Sequence, residues 1–472
     1  MWNECQRFWE YLRPAFSRQA TYRWFVIAFA GLVMREDTLG VTSIIRALTL
    51  TPASYLCLLH FFHSTAWSVE ELMPRWWQWL AQKPLALRVN GRLVLTGDHT
   101  KTPKDGRKIP AVTTLHQDSE SSSKPSFFRG HHWGCLGLVL EAGRRFVSTP
   151  LWASIHEGLT GLTADASIPK TRRIVIMAQQ VAHVFSQPAY LLLDAYFAAG
   201  SVLTTARAVL LHGEPLIHPL ARAKKTTVAF FPPPKKSHRG RGRPKKYGRK
   251  IRLFNLFDSQ ARDRTFSSAS AQVYDRVETV RYRALNLLWK PVQDLVRFIL
   301  IESPRGRIVL ITTDLQLDPL IALQLYCRRA TIETLFSALK NTLGGFAYHF
   351  WSSCLAPASR RPRKNTPVAT SSNPASTRLT LAAIEKFVNL QLLVLGLLHV
   401  LAILYPQEVL LRARCWLRTV SSPIPSEFVT RLALVNCFRQ FIASYPKNPF
   451  IAFIRAKQAP PASSAKAGEK YL

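Results

Sequence analysis

Ala189-Tyr-Leu-Leu-Leu193 is a five-residue run without a charged or amide side chain, and Asp194 closes it. A short run that is apolar on both alternating faces reads as a strand in the middle of a sheet, covered on both sides. That requirement sets aside a sheet with one wet face and asks for helices packed on sheet. The flanking segments agree. Leu87 to Thr96 (LRVNGRLVLT) is strand-like, Trp133 to Leu140 and Arg145 to Ile155 read as an antiparallel pair around the turn Glu141-Ala-Gly143, and Lys170 to Phe185 has a helical period. Strands, a helix and another strand predict an α/β or α+β core with a mixed sheet.

The 472 residues allow two to four folded units. Residues 1–85 read as helical. Within them Val41 to Leu48, the break Thr49-Leu-Thr-Pro52 and Ala53 to Phe62 outline a helix-turn-helix, equally the outline of any two-helix hairpin. Residues 86–205 carry the strand pattern above. Residues 206–305 form a separate β-rich piece, with strands expected at Thr226 to Phe231, Ile251 to Phe257 and Ala271 to Tyr282. A strand from Arg307 to Thr313 and one long helix from Asp318 to Leu343 fill 306–350. Residues 354–378 are Ser/Pro-rich with the basic cluster 360–364 and read as flexible. Helices are expected over 379–457 and a disordered tail over 458–472. The apolar stretch Leu390 to Ile403 is shorter than the roughly 20 residues of a membrane span, so it reads as a core helix and no membrane partner is expected.

Charge narrows the partners. Lys and Arg total 63 against 28 Asp and Glu, a formal net charge of +35. Such an excess repels itself unless a polyanion offsets it, and nucleic acid is the first polyanion to consider. From Arg222 to Arg252 there are 13 Lys/Arg and no acid. Arg239, Arg241, Arg243, Lys245 and Lys246 sit together in that loop. Arg241-Gly-Arg-Pro244 resembles an AT-hook core, which inserts arginines into a narrow minor groove; a general phosphate-binding loop and an inert solvated loop are the alternatives. Seven scattered cysteines, none in a C-x-x-C pair, argue against a disulfide framework or zinc ribbon and fit a reducing compartment.

Two aspartates stand at ends of expected buried strands: Asp98 after Arg92-Leu-Val-Leu-Thr-Gly97, and Asp194 after Leu193. One such Asp is commonly a turn residue or a helix cap. Two on strands that can be neighbours are natural oxygen ligands for Mg²⁺ or Mn²⁺. The helix expected after Asp318 adds a third acid. Tyr326, Arg329, Glu333 and Lys340 fall at offsets 0, 3, 7 and 14, within about 60° on one face of an ideal helix. A solvated salt-bridge stripe is the plain reading of such a face, but it accounts for neither the tyrosine nor the two aspartates.

The pattern Y-x2-R-x3-E-x6-K formed by Tyr326, Arg329, Glu333 and Lys340 resembles the signature of a branch of bacterial insertion-sequence transposases with a DDE catalytic triad. Asp98 in Gly97-Asp98-His-Thr-Lys101, Asp194 96 residues later and Glu333 a further 139 residues on extend the resemblance over about 40–350. It implies a ribonuclease-H-like mixed-sheet catalytic core with a β-rich insertion before the Glu, preceded by a helical N-terminal DNA-binding region. It further implies a DNA transposase that binds terminal inverted repeats of double-stranded DNA, hydrolyses a phosphodiester with two Mg²⁺ (or Mn²⁺) ions on Asp98, Asp194 and Glu333, and transfers the freed 3′-OH into target DNA as a homodimer. Arg329 and Lys340 would hold phosphates, Tyr326 would stack on a displaced base or bond a phosphate, and the basic loop would grip DNA. The site of action would be the bacterial cytoplasm, at the nucleoid. A nuclease of the same fold that cuts without joining, and a DNA-binding derivative without catalysis, remain as rival readings.

Overall fold

The computed structural model describes residues 1–117, 126–143, 145–234, 245–258, 262–359, 369–416, 424–445 and 447–460. Five strands form the core in the order Arg145–Ile155, Phe127–Ala142, Arg92–Pro103, Ala189–Leu193, Ile217–Arg222. Counted along the chain this is 3-2-1-4-5, and only the second strand runs against the others. That arrangement is the expected ribonuclease-H-like mixed α/β core.

Alternation along the central strand explains its composition. Leu191 and Leu193 enter one hydrophobic core with Leu95 and with Ile174 of the helix Lys170–Val184. Tyr190 and Leu192 enter a second core with Val94 and with Ala322 of the helix Pro319–Arg328. All five residues of Ala189–Leu193 are buried, as the both-faces argument requires.

The fifth core strand, Ile217–Arg222, falls inside the 206–305 span read as a separate piece. Gly306–Thr312 pairs antiparallel with it, and Asp294–Ser303 and Arg276–Trp289 follow outward, so the insertion extends the core sheet, which has thirteen strands in all among the described residues. Three local expectations need correction. Ala271 to Tyr282 is not one strand; Ser267–Val273 and Arg276–Trp289 form a hairpin that turns at Tyr274 and Asp275, with Tyr274 at φ 54°. Only Lys250–Arg252 of the expected strand Ile251 to Phe257 is extended; Leu253–Phe257 winds into a 3₁₀ turn that buries Leu253, Leu256 and Phe257. The stretch 354–378 is partly ordered: Leu355 bridges Ser371, and a helix starts at Pro374. Likewise Gln458 of the expected tail bridges Leu50.

The N-terminal helices pack against this core. Trp76 and Trp77 of Val69–Ala81 donate their indole N–H groups to the Pro150 and Leu151 carbonyls, each at 2.9 Å. They are buried packing residues. The helix-turn-helix outline is present as Thr42–Ala47 and Ser54–His63. Its second helix contains no Lys or Arg and exposes Tyr55 and Leu56.

The helix Pro374–Leu404 is long and apolar enough to cross a membrane, but 89% of its most apolar window is buried inside the fold. It is a core helix. Glu385 on it accepts a hydrogen bond from the Ile155 N–H at 2.8 Å. Burial, with a smaller contribution from Glu70, pushes this carboxyl from 4.5 up to about 7, against the Ile155 amide and Arg173. In the unfolded chain the group ionises first, so between pH 4.5 and 7 the native state binds the extra proton and stability falls as pH rises. The loss is on the order of 1–3 kcal/mol after allowance for partial exposure. Thermal unfolding of Glu385→Gln and wild type at pH 4.5 and 7.5 measures it: the wild type loses more on going up, and equal losses would refute the assignment.

Candidate active site

The strand carrying Asp98 continues to Pro103, because its pairing with Phe127–Ala142 runs on to Pro103↔Gly130. Asp98 is therefore inside a strand, not at its end as expected. Its parallel neighbour does stop there. The parallel pairing ends at Thr96↔Leu192, and Asp98 and Asp194 each follow it two residues on, Asp194 as the first residue past the strand Ala189–Leu193. Asp98 Oδ1 accepts the His99 N–H at 2.7 Å, and Asp194 Oδ1 accepts the Tyr196 N–H at 2.9 Å, so backbone donors hold both carboxylates.

Glu333 arrives from the following helical segment. Arg329 donates to Asp98 Oδ2 at 3.4 Å and to Glu333 Oε1 at 2.9 Å, tying the two acids through one guanidinium. The expected continuous helix is broken. Pro319–Arg328 ends in tight turns, with Arg329 N–H to Tyr326 O and Glu333 N–H to Ala330 O both at 3.1 Å, before Thr331–Ser337 begins. Ala338–Thr342 then forms a π-turn that carries Lys340. The ideal-helix phase that set four residues on one face does not survive these two irregularities. Proximity does. Asp98, Asp194 and Lys340 line one cavity of about 820 Å³, and Arg329 couples Glu333 to Asp98. Burial pushes the Tyr326 hydroxyl up, while Arg329 and Arg222 nearby pull it down.

Of the five basic-loop residues, Lys245 and Lys246 are described. Arg239, Arg241 and Arg243 lie outside the described residues. Lys245 is exposed, and Lys246 donates to Gln293 Oε1 at 2.9 Å; neither lines this cavity.

Several lining residues were not picked from the sequence: Lys101, Gln117, Phe128, Lys170 and Tyr196. Lys170 carried the one available signal. It opens a helix, where the macrodipole disfavours a cation, and it bonds Glu157, which also lies 3.4 Å from His132 Nδ1. His99 lines the cavity too, and its Nε2 lies 3.0 Å from His156 Nδ1. Burial, reinforced by His132 and Lys170, lowers His99 to about 3, so it is neutral. Gly134 makes room for this pair, since a Cβ there would stand 2.0 Å from the His156 ring. His131, by contrast, is an internal strut between Tyr348 Oη and the Pro110 carbonyl.

Burial pushes Asp98 up to about 6, with Asp194 and Glu333 adding repulsion against the His99 amide and Arg329. Among the described residues no three His, Cys, Asp or Glu side chains stand close enough to grip one ion. The donor set nonetheless fits a hard divalent cation. The three acids are oxygen donors, burial and the neighbouring acids together disfavour charge on Asp98, and the cation serving Asp98 and Glu333 is the Arg329 side chain.

The family whose description is DDE superfamily endonuclease matches residues 11–286, more than half of the chain, a span that includes Asp98 and Asp194 and ends before Glu333. No curated protein matches the sequence. Family and architecture agree on a DNA-cleaving enzyme class that generally uses divalent metal ions. The chain belongs to the DDE endonuclease superfamily.

Proposed function

We propose that this chain is an insertion-sequence transposase, of the branch with the Tyr-Arg-Glu-Lys signature, that cuts DNA at the element's ends and joins the freed 3′-OH to target DNA. The observation that carries the reading is the single groove lined by Asp98 and Asp194, with Arg329 bonded to both Asp98 and Glu333. Two Mg²⁺ or Mn²⁺ ions, which Asp98, Asp194 and Glu333 would hold, would supply an activated oxygen nucleophile and neutralise charge on the phosphate.

The chain's own groups do the rest. Lys340 holds a phosphate beside the scissile bond, and Arg329 takes up another once its carboxylates are engaged. Tyr326 flanks them as a stacking or phosphate-bonding group. Neutral His99, backed by His156, fixes the backbone that orients Asp98. No side chain becomes covalently attached to DNA. The region 1–85 binds the terminal inverted repeats, the insertion with Arg239, Arg241, Arg243, Lys245 and Lys246 grips the duplex, and two copies act together on two ends, in the bacterial cytoplasm at the nucleoid.

The test is a cleavage and strand-transfer assay on the DNA flanking the reading frame, with Mg²⁺ or Mn²⁺, comparing wild type with Glu333→Ala. Metal-dependent nicks and joined products, both lost in the variant, are expected. Cutting without joining identifies the nuclease instead. Binding without cutting, unchanged by the substitution, identifies a DNA-binding derivative and overturns the enzyme.

A further inference from the structure

Pro103 borders two cavities. One is the catalytic groove; the other, of about 620 Å³, is lined by Lys104, Asp105, Arg107, Lys108, His349 and Trp351 among others. Trp351 is 65% exposed, an unusual state for the largest apolar side chain. The platform beneath it is rigid. The Ser352 N–H donates to the Lys108 carbonyl and the Ala358 N–H to the Arg107 carbonyl, each at 2.9 Å. Arg107 Nε returns a bond to Ala358 O at 3.1 Å, and Lys104 Nζ donates to Phe346 O at 2.6 Å. Two accessible cations, Arg107 and Lys108, against one acid, an upright indole and continuity with the catalytic groove are the chemistry of a nucleic-acid strand: phosphates for the cations and a base face for the ring.

Resting on the DNA-processing reading, we propose that this second groove takes the DNA strand leaving the catalytic groove, with an unpaired base stacked on Trp351 and its phosphates against Arg107 and Lys108. Pro103 is five residues beyond Asp98 on one extended strand, about 17 Å away. At 3.4 Å per nucleotide the second groove begins about five nucleotides from the scissile phosphate.

The experiment measures binding of the full chain to two fluorescent probes: the element's end as a perfect duplex, and the same end with mismatches four to six nucleotides from the cut. A 2-aminopurine scanned through those positions reports stacking. Wild type is expected to prefer the mismatched probe. Trp351→Ala is expected to weaken binding of that probe by roughly 5- to 150-fold, to change the perfect duplex less than twofold and to abolish 2-aminopurine quenching. Trp351→Phe restores most of both signals. Arg107→Ala with Lys108→Ala lowers the salt slope by about 1.5 units. An unchanged affinity in Trp351→Ala overturns the inference, and so does an equal loss on both probes, which would mean contact with paired DNA. Failure of wild type to bind either probe would remove the DNA-processing reading and this inference with it.

Discussion

Asp98→Asn is expected to leave DNA binding intact, to lower the cleavage rate by at least about 1,000-fold, and to make the metal-free protein more stable. On the proposed reading Asp98 would be a metal ligand, and the rate loss follows from that: a ligand to a catalytic ion contributes several kcal/mol to charge neutralisation, and every 1.36 kcal/mol is tenfold in rate. The stability gain follows from the same crowding. Asp98 is held up at about 6, first by burial and then by Asp194 and Glu333, so its ionised form at pH 7.5 costs the native state on the order of 1–3 kcal/mol. Asn removes the charge and keeps the shape, losing only the 3.4 Å contact to Arg329. Thermal unfolding in a chelator and in Mn²⁺ separates the two effects. The variant should melt higher than wild type in chelator, and only wild type should gain substantially from Mn²⁺. A variant that melts lower in chelator, or that still gains as much as wild type from the metal, would show that Asp98 is not the crowded ligand described.

The same trade appears in how much of the molecule the sequence disclosed. Asp98 and Asp194 stood out because a carboxylate directly after an apolar strand run conflicts with burial, and such conflicts concentrate at functional sites; Glu333 stood out by its spacing from Tyr326, Arg329 and Lys340. The central strand was legible because its two faces meet two different cores. The shape of the Glu333 segment was not. The phase argument assumed 3.6 residues per turn from Tyr326 to Lys340, whereas the chain tightens around Arg329 and widens to a π-turn at Ala338–Thr342. No residue there is Gly or Pro, so local propensity carried no mark of either break. The hairpin at Tyr274 was hidden for the same reason, since a tyrosine at positive φ is not a turn signal. Lys170 and Tyr196 reach the groove only because distant segments are folded together.

Most hidden of all were the residues that bond backbone carbonyls, because a carbonyl acceptor looks alike at every position. Arg35 and Arg431 come from opposite ends of the chain and meet at the end of the Glu333 segment. Arg35, 1% exposed, donates to the carbonyls of Leu343 and Gly344, the latter at 3.0 Å, and to Ser43 Oγ at 3.1 Å. Arg431 donates to Thr342 O at 2.8 Å, to Val33 O at 2.9 Å and to the carbonyl of Arg35. Gly344 ends the segment at φ +62°, where a Cβ would stand 2.4 Å from Thr38. The N-terminal helices and the helix Glu427–Ser444 thus hold one shared object, the terminal carbonyls of the turn carrying Lys340. Two cations at a helical C-terminus also complement its dipole. Burial and the neighbouring Arg431 lower Arg35 to about 10, so it remains charged at neutral pH.

Arg35→Ala is therefore expected to destabilise the protein by about 2–4 kcal/mol. Charge-assisted bonds contribute about 1.5–3 kcal/mol each, and their loss is partly offset because the guanidinium's own desolvation, including an Nε without a partner, disappears. Arg35→Lys should recover little, since an ammonium lacks the fork that spans two carbonyls and a hydroxyl. Denaturant unfolding measures the stability. Cleavage of pre-bound DNA, assayed where both variants remain folded, measures the coupling: the single-turnover rate should fall while DNA affinity changes little, because the segment carrying Glu333 and Lys340 loses its anchor while the basic surfaces stay. A rate that follows only the folded fraction would reduce Arg35 to a core residue. A rate that drops beyond it would mean that the N-terminal helices set the position of the third acid, which gives whatever DNA they bind a mechanical route to the chemistry.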